Sequence, residues 1–276
     1  MSYLAATELQ EALALAGRGG VHVIAGGTDW FPAQAERPFA GDLLDISRIS
    51  GLRGLSRQEG QWRIGATTTW TDILRADLPP AFAGLKAAAR EVGSVQIQNA
   101  GTVAGNICNA SPAADGVPPL LALDARVELT AQDGRRELPL GAFITGPRQT
   151  LRREGELVTA ILVPDPAPGA RSSFVKLGAR RYLVISICMV AVTAEVSGGL
   201  LRDPRIAVGA ASPVARRLPS LEARLEGMPP AEAAASLRAA DVDALSPIDD
   251  VRATAGYRRE AVIELLRRAL EEIADG

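Results

Sequence analysis

The stretch "NAGTVAGNICNASPAADGVPPLLALDA", residues 99–125, constrains this chain more than any other. Gly, Ala, Ser, Asn and Pro crowd it so densely that an ordinary helix or strand is not expected there. It contains no His, no Lys and no paired carboxylates, so it offers no acid–base chemistry of its own. A loop of this composition brings backbone close to something, and the question is what that something is.

Composition narrows the answer. Residues number 276, enough for two packed domains at about 100–200 residues each. Hydrophobic residues make up 47% and charged residues 22%, the profile of a globular protein. A net charge of −2 provides no basic excess to neutralise phosphates, and 4% aromatics provide little for base stacking, so nucleic-acid binding is not expected. Cys108 and Cys188 are too few to ligate an iron–sulfur cluster, and His22, the single histidine, is too little for a zinc site. The opening "MSYLAATELQEALALAG" lacks a basic segment followed by an unbroken apolar run, so no secretory signal is expected. No apolar run reaches the ~18 residues of a membrane span, and the expectation is a cytoplasmic protein.

Periodicity places the elements. Thr7 and Gln10 have capping-box spacing ahead of a helix carrying Leu9, Leu13 and Ala16, which Gly17, Gly19 and Gly20 end. Strands are expected at 21–24, 42–47, 61–69 and 156–164, with a hairpin over 125–131 and 135–140. A helix is expected from about Ala81 to Glu91. "PDPAPGA", 164–170, reads as a linker. Beyond it come a β-like run and a long apolar segment within 172–196, a strand at 205–212, and an amphipathic helix over 256–276 with Val262, Leu265, Leu266 and Leu270 on one face. The mixture predicts α/β or α+β architecture rather than a doubly wound sheet.

Two glycine loops stand out. The first, Ala25, Gly26, Gly27, Thr28 and Asp29, follows the strand that holds Val23 and Ile24. Bare backbone at Gly26 and Gly27 can approach a ligand, exposed N–H groups can form an anion nest, and Thr28 adds a hydroxyl. It is neither a dinucleotide fingerprint nor a Walker A loop, and as a bare pattern it fits a simple strand-end turn better than a binding loop. The second presents Gly101, Thr102, Gly105 and Asn106, followed by Asp115. Asp115 suits either a polar contact to a ribose or ring, or the N-cap of a helix beginning in "GVPPLLALDA". One nucleotide with two phosphates could use both loops. Neither carries a nucleophile, acid or base, which points to holding a cofactor that supplies the chemistry.

"VIAGGTDW", "VGSVQIQNAGTVAGNICNASPAADGVPPLLALDARVEL", "SFVKLGARRYLVISICMVAV" and "VRATAGYRREAV" resemble, in that order, the FAD-binding medium subunit of the molybdenum hydroxylases, the xanthine dehydrogenase and aerobic carbon monoxide dehydrogenase family. The resemblance implies an α+β fold: a two-part FAD-binding domain over 1–165, of the PCMH type shared with vanillyl-alcohol oxidase and cell-wall reductase flavoproteins. A C-terminal domain of carbon monoxide dehydrogenase flavoprotein type would follow over 171–276. It also implies that an FAD diphosphate lies on Ala25–Asp29, led in by Val23 and Ile24, with Thr102, Gly105 and Asn106 as the second loop and Asp115 as a further contact. Lys176 resembles a lysine beside the flavin, where a cation favours the reduced, anionic ring; the alternative is a solvated surface lysine.

Departures from the pattern are visible. Ala104 stands where glycine is common, adding a methyl that is expected to weaken cofactor binding without abolishing the site. Val184 replaces an Asp before Ile185 and Ser186. His22 does not match a flavin-attachment position, so FAD is expected to be non-covalent, and Cys108 is expected to be a packing residue.

By resemblance, the chain is an electron-transfer subunit with no catalytic residue or metal of its own. A [2Fe–2S] small subunit and a molybdopterin large subunit would join it in a heterotrimer or its dimer, with NAD or a quinone as acceptor. Two rivals exist: a stand-alone flavoprotein oxidoreductase, and a flavin-free scaffold. The first needs a base over the flavin, and the second domain has Arg180, Arg181 and Tyr182 there but no histidine.

Overall fold

The computed structural model describes residues 2–34, 39, 41–180 and 183–275. Its first apolar runs pair in parallel. β1 (Tyr3–Ala5), β2 (Val21–Ile24) and β3 (Asp42–Asp45) form a sheet in the order β1-β3-β2. Parallel neighbours need a crossover, and helix α1 (Leu9–Ala16) supplies the first one, burying Ala12, Leu13 and Ala16 with Leu44 and Leu52. The capping box expected at Thr7 and Gln10 is not formed. The helix starts after Glu8, without a side-chain cap, and the Thr7 N–H instead donates to the Glu11 carboxylate at 3.2 Å. Helix α2 (Trp30–Gln34) follows β2.

A second sheet is antiparallel throughout: β4 (Leu55–Gln58), β5 (Gln61–Gly65), β6 (Arg126–Ala131) and β7 (Gly134–Pro139), then, past a small ribbon of β8 (Ile144–Gly146) and β9 (Gln149–Thr150), β10 (Leu157–Pro164). The order is β4-β5-β10-β6-β7, with β6 and β7 the expected hairpin. β10 lies at the centre and is buried from Leu157 to Val163, matching a run that is apolar but for Thr159. The strand expected over 61–69 stops at Gly65, because Thr69 becomes the N-cap of α3 (Trp70–Arg75). Thr69 Oγ1 accepts from the Asp72 N–H at 3.1 Å while the Thr69 N–H donates to the Asp72 carboxylate at 2.9 Å.

Helix α4 (Ala83–Glu91) falls where expected, after one tight turn at Pro80–Phe82. The small-residue stretch is helical, contrary to expectation: α5 (Val95–Ala100), α6 (Val103–Asn109) and α7 (Val117–Ala122) are short helices, and α8 (Leu140–Phe143) follows further on. Gly, Pro, Asn and Ser weaken a helix in isolation, but tertiary packing overrides propensity. Here the small residues let helix backbones seat deeply, with Val103, Ala104, Ile107 and all of α7 buried.

After the irregular loop between Pro164 and Ala170 comes an antiparallel meander of β11 (Ala170–Leu177), β12 (Cys188–Ser197), β13 (Leu200–Gly209) and β14 (Arg216–Arg217). Helices α9 (Pro219–Leu225), α10 (Pro230–Ala235) and α11 (Ala255–Asp275) cover one face, with Val262, Leu265, Leu266 and Leu270 buried as their spacing predicts. The other face packs on α4 and α7, so Phe174, Met189 and Ala207 share one core cluster with Leu85, Ala88 and Leu120. At this seam the Gly84 N–H donates to Ser172 Oγ at 2.8 Å, and a Cβ on Gly84 would stand 3.0 Å from the Ser173 carbonyl oxygen. The whole is the expected α+β arrangement. Among the described residues no helix is long and apolar enough to cross a membrane, and no group of His, Cys, Asp and Glu is arranged to hold a metal ion.

Candidate functional site

Loop one leaves β2 at Ile24, whose carbonyl accepts from the Ile46 N–H at 3.0 Å. Val23 and Ile24 lie in the strand, and Ala25 packs against the small core beneath α1. Gly27 has φ +65°, a conformation glycine adopts without strain, and its carbonyl starts α2 by accepting from the Phe31 N–H at 3.1 Å. Gly26 is where the loop meets loop two. A Cβ there would lie 1.9 Å from the Ala100 carbonyl oxygen and 3.0 Å from the Gly101 nitrogen. The two glycine loops, more than 70 residues apart in sequence, touch backbone to backbone. Thr28 Oγ1 reaches the same place, 3.2 Å from where Gly101 would carry a Cβ, and Asp29 is exposed beside it.

Loop two is pinned to the chain below it. The Trp70 N–H donates to the Gly101 carbonyl at 3.2 Å, the Val103 N–H to Thr68 at 3.0 Å, and Thr102 pairs with Thr69 in a β-bridge. Thr102 Oγ1 caps α6 by accepting from the Gly105 N–H at 3.0 Å, so one lone pair of this expected ligand-binding hydroxyl is already used. Ala104 is 3% exposed; its methyl packs in the core, not toward the surface, and the weakening expected from it has no geometric basis. Gly105 is exposed. Asn106 Oδ1 is buried without a hydrogen-bond partner, as is Thr67 Oγ1 two residues before the Thr69–Thr102 bridge.

Trp70, fully buried, is the floor that joins loop two to the rest. A Cβ on Gly101 would lie 3.6 Å from its ring, and one on Gly116 2.3 Å from it and 3.0 Å from Asn106 Oδ1. Next to Gly116, Asp115 is 9% exposed. It does not cap α7, which begins at Val117 behind Gly116. Its Oδ2 accepts from Lys176 Nζ at 2.8 Å and its Oδ1 from Ser186 Oγ at 2.9 Å. Lys176 Nζ also lies 3.5 Å from the Glu91 carbonyl, and its side chain is 6% exposed, so the surface-lysine alternative fails. Burial pushes the Asp115 carboxyl above its ordinary value, and the Lys176 ammonium and Ser186 hydroxyl pull it back.

Of the expected residues, Gly26 and Thr28 meet at Gly101, Asn106 lies beside Gly116 over Trp70, and Asp115 pairs with Lys176. Residue-type reasoning did not single out Trp70, Thr67 or the Ser186 hydroxyl as parts of the site. Thr67 and Ser186 sit in segments read as strand or apolar run, and Trp70 falls just past the strand expected over 61–69. His22 is exposed on β2, edge-on to Phe39 at 4.9 Å. Cys108 is exposed and Cys188 buried, its thiol pushed up to about 12 by burial. Val184 packs near Gly178, and Arg180 donates to the Leu183 carbonyl at 3.1 Å, while Arg181 and Tyr182 lie outside the described residues. Two shallow clefts of about 260 and 250 Å³ flank the proline-rich loop and share no residue with the glycine loops.

The site fits a flavin dinucleotide. Only glycine can occupy position 26, and the side-chain-free backbone of both loops is of the kind that can present N–H groups to a diphosphate. The unpartnered Asn106 Oδ1 is an acceptor awaiting a donor, which a diphosphate lacks but a ribose hydroxyl or a ring N–H of the same molecule has.

Comparison with known proteins agrees. Residues 1–166 match the FAD binding domain in molybdopterin dehydrogenase, and residues 173–273 the CO dehydrogenase flavoprotein C-terminal domain. The chain is 32% identical over 277 residues to the glyceraldehyde dehydrogenase medium chain of Sulfolobus acidocaldarius, covering 99% of this chain and 98% of that one. It is 30% identical over 233 residues to the xanthine dehydrogenase FAD-binding subunit of Escherichia coli O157:H7, covering 83% and 80%. The solved carbon monoxide dehydrogenase of Hydrogenophaga pseudoflava, in a form lacking the Mo-pyranopterin moiety, superposes with a TM-score of 0.88 at 31% identity, covering 98% of this chain and 96% of that one. With the two glycine loops in contact and both family matches in order along it, the chain belongs to the FAD-binding medium subunits of the molybdenum hydroxylases, the xanthine dehydrogenase and aerobic carbon monoxide dehydrogenase family.

Proposed function

We propose that this chain is the electron-transfer subunit of a cytoplasmic molybdenum-containing hydroxylase. It takes electrons from the [2Fe–2S] clusters of a small partner subunit, while a large molybdopterin subunit oxidises the substrate, and delivers them to an external acceptor such as NAD or a quinone. Bound FAD supplies a centre that accepts electrons singly and hands on two. The observation that carries the reading is the backbone contact of Gly26 with Ala100 and Gly101, which brings two loops distant in sequence to one place.

Each residue then has a task. Val23 and Ile24 set the height of loop one, and Ala25–Asp29 present backbone N–H groups and the Thr28 hydroxyl to the diphosphate, non-covalently. Thr102 fixes the first turn of α6, so that Gly105 and Asn106 face the ligand. Asp115 holds the Lys176 ammonium at a fixed place, because an ion pair this buried is kept where its hydrogen bonds put it. A fixed, desolvated cation beside the flavin favours negative charge on it. The division of labour follows the loop at 164–170: 1–165 holds the cofactor, and 171–276 contributes Lys176 and Ser186.

The test is purification of the chain alone and with its neighbouring reading frames. The lone chain should be yellow, bind FAD one to one and hydroxylate no substrate. Co-expressed, it should co-purify with an iron–sulfur chain and a molybdopterin chain, and the complex should reduce an added acceptor. A colourless chain that takes up no FAD refutes the reading, as does substrate turnover by the lone flavoprotein.

A further inference from the structure

The motif "VRATAGYRREAV", residues 251–262, has no part in the site described above, yet it contains a charged side chain of unusual placement. Arg258 is 3% exposed, in the first turn of α11. A buried guanidinium needs a counter-charge and acceptors for its N–H groups. One guanidinium nitrogen donates to Asp250 Oδ1 at 2.7 Å. The other donates to two backbone carbonyls at once, those of Ile187 and, at 3.0 Å, Ala210. Asp250 is itself oriented by Arg252, whose N–H and guanidinium each donate to it at 2.8 Å.

The two carbonyls belong to the two segments that hold the Asp115–Lys176 pair. Ile187 directly follows Ser186, whose hydroxyl donates to Asp115 Oδ1. Ala210 passes its own N–H to the Pro112 carbonyl at 3.0 Å, three residues before Asp115. A single planar cation therefore spans the chain on both sides of the clamp. If either carbonyl moves, Ser186 and Asp115 separate and the Lys176 ammonium loses its seat. Lysine or glutamine at 258 has no fork with which to reach both carbonyls and Asp250 together.

We infer that Arg258, oriented by Asp250, is a positioning residue for the flavin site: it sets the distance between Ser186 and Asp115 and through them the location of the Lys176 ammonium. Its relevance to the cofactor rests on the FAD reading above; its action on Lys176 does not. Four full-length chains test it: wild type, Arg258→Gln, Asp115→Asn and the double variant. Two readouts are taken. One is the dissociation constant for FAD, from quenching of flavin fluorescence. The other is the rate of reductive methylation of Lys176 in the absence of FAD, measured by mass spectrometry against Lys86, the chain's other lysine.

Losing a hydrogen-bonded charged group is expected to weaken FAD binding about tenfold in Arg258→Gln. Lys176 should be methylated faster relative to Lys86. Because Arg258 acts through Asp115, the double variant should bind FAD within about twofold of Asp115→Asn alone. The inference is overturned if Arg258→Gln lowers only the thermal midpoint and leaves both readouts at their wild-type values. It is equally overturned if the effects of the two substitutions multiply. Failure of the wild type to bind FAD refutes the proposed function, and the Lys176 to Lys86 ratio then still decides this one. Should Arg258→Gln not fold, Asp250→Asn, which keeps the guanidinium and removes its orienting carboxylate, is judged by the same criteria.

Discussion

The contact between the glycine loops makes Gly26→Ala the sharpest perturbation available. The new methyl would arrive 1.9 Å from the Ala100 carbonyl oxygen, about 1.5 Å inside ordinary contact. The obstacle is backbone, so no side chain can swing aside. Nor can that backbone retreat freely. The Gly101 N–H is held by the Ile97 carbonyl at 2.6 Å and the Gly101 carbonyl by the Trp70 N–H at 3.2 Å. Separating the loops therefore strains these bonds, each worth about 1 kcal/mol, on top of an overpacking penalty of about 1–3 kcal/mol. A destabilisation of about 2–3 kcal/mol lowers the melting temperature of a chain this size by roughly 4–10 °C. Since the same displacement parts the two loops, FAD affinity should fall at least about tenfold. Scanning calorimetry and a flavin titration measure both. Gly51→Ala is the control, because nothing lies within 4 Å of its Cβ position. If Gly26→Ala melts and binds FAD like the control, the loops are not fitted to one another and the argument from their contact fails.

Lys176→Met strands a buried Asp115 carboxylate and should destabilise the chain at neutral pH by about 3–5 kcal/mol in urea unfolding, with Asp115→Asn in the same chain restoring most of it. The Asp115 carboxyl already sits above its unfolded value, and losing the cation raises it further, so the deficit should grow as pH rises and shrink toward acid. Asp250 has the opposite sign. The Arg252 amide first, and the Arg252 and Arg258 side chains after it, hold its carboxyl at about 2. Its contribution is therefore present above about pH 4 and lost as pH falls toward 2, so Asp250→Asn should flatten the acid limb of the urea midpoint. Glu128, 4% exposed, accepts from Thr159 Oγ1 at 2.6 Å, Arg63 at 3.0 Å and Arg135 at 3.1 Å. Glu128→Gln should destabilise by about 1–3 kcal/mol and leave the FAD dissociation constant unchanged in the same titration used for Gly26→Ala.

Sequence period and turn chemistry carried the scaffold. β2, β10, the β6–β7 hairpin and α11 all lie where short β-rich or apolar runs, turn residues and helical spacing put them, because these signals are local in the chain. The stretch at 95–122 misled for a physical reason. Propensity describes a helix in water, whereas α6 and α7 are helices because they sink against Trp70 and the sheet; α5 buries only Gln98. The Thr7–Gln10 spacing misled in a smaller way, since Glu11 was as well placed to satisfy the Thr7 N–H. At the site, glycine pairs were legible because bare backbone is a local signal. The partnership of Asp115 with Lys176, 61 residues on, and with Ser186, 71 residues on, was not, because only the packing of β11 and β12 on α4 and α7 brings them together.

The seam at Gly84 bears on how such proteins exchange parts. The loop at 164–170 invites recombination, being exposed chain between two matched regions. Yet β11 fits closely against α4: a hydroxyl at Ser172 accepts from the Gly84 amide, and the Ser173 carbonyl leaves little space for a methyl. A C-terminal half grafted from a relative must bring a strand cut to the same helix, or the chimera opens along the line where Lys176 meets Asp115. Grafts of this kind are therefore expected to lose flavin before they lose their fold.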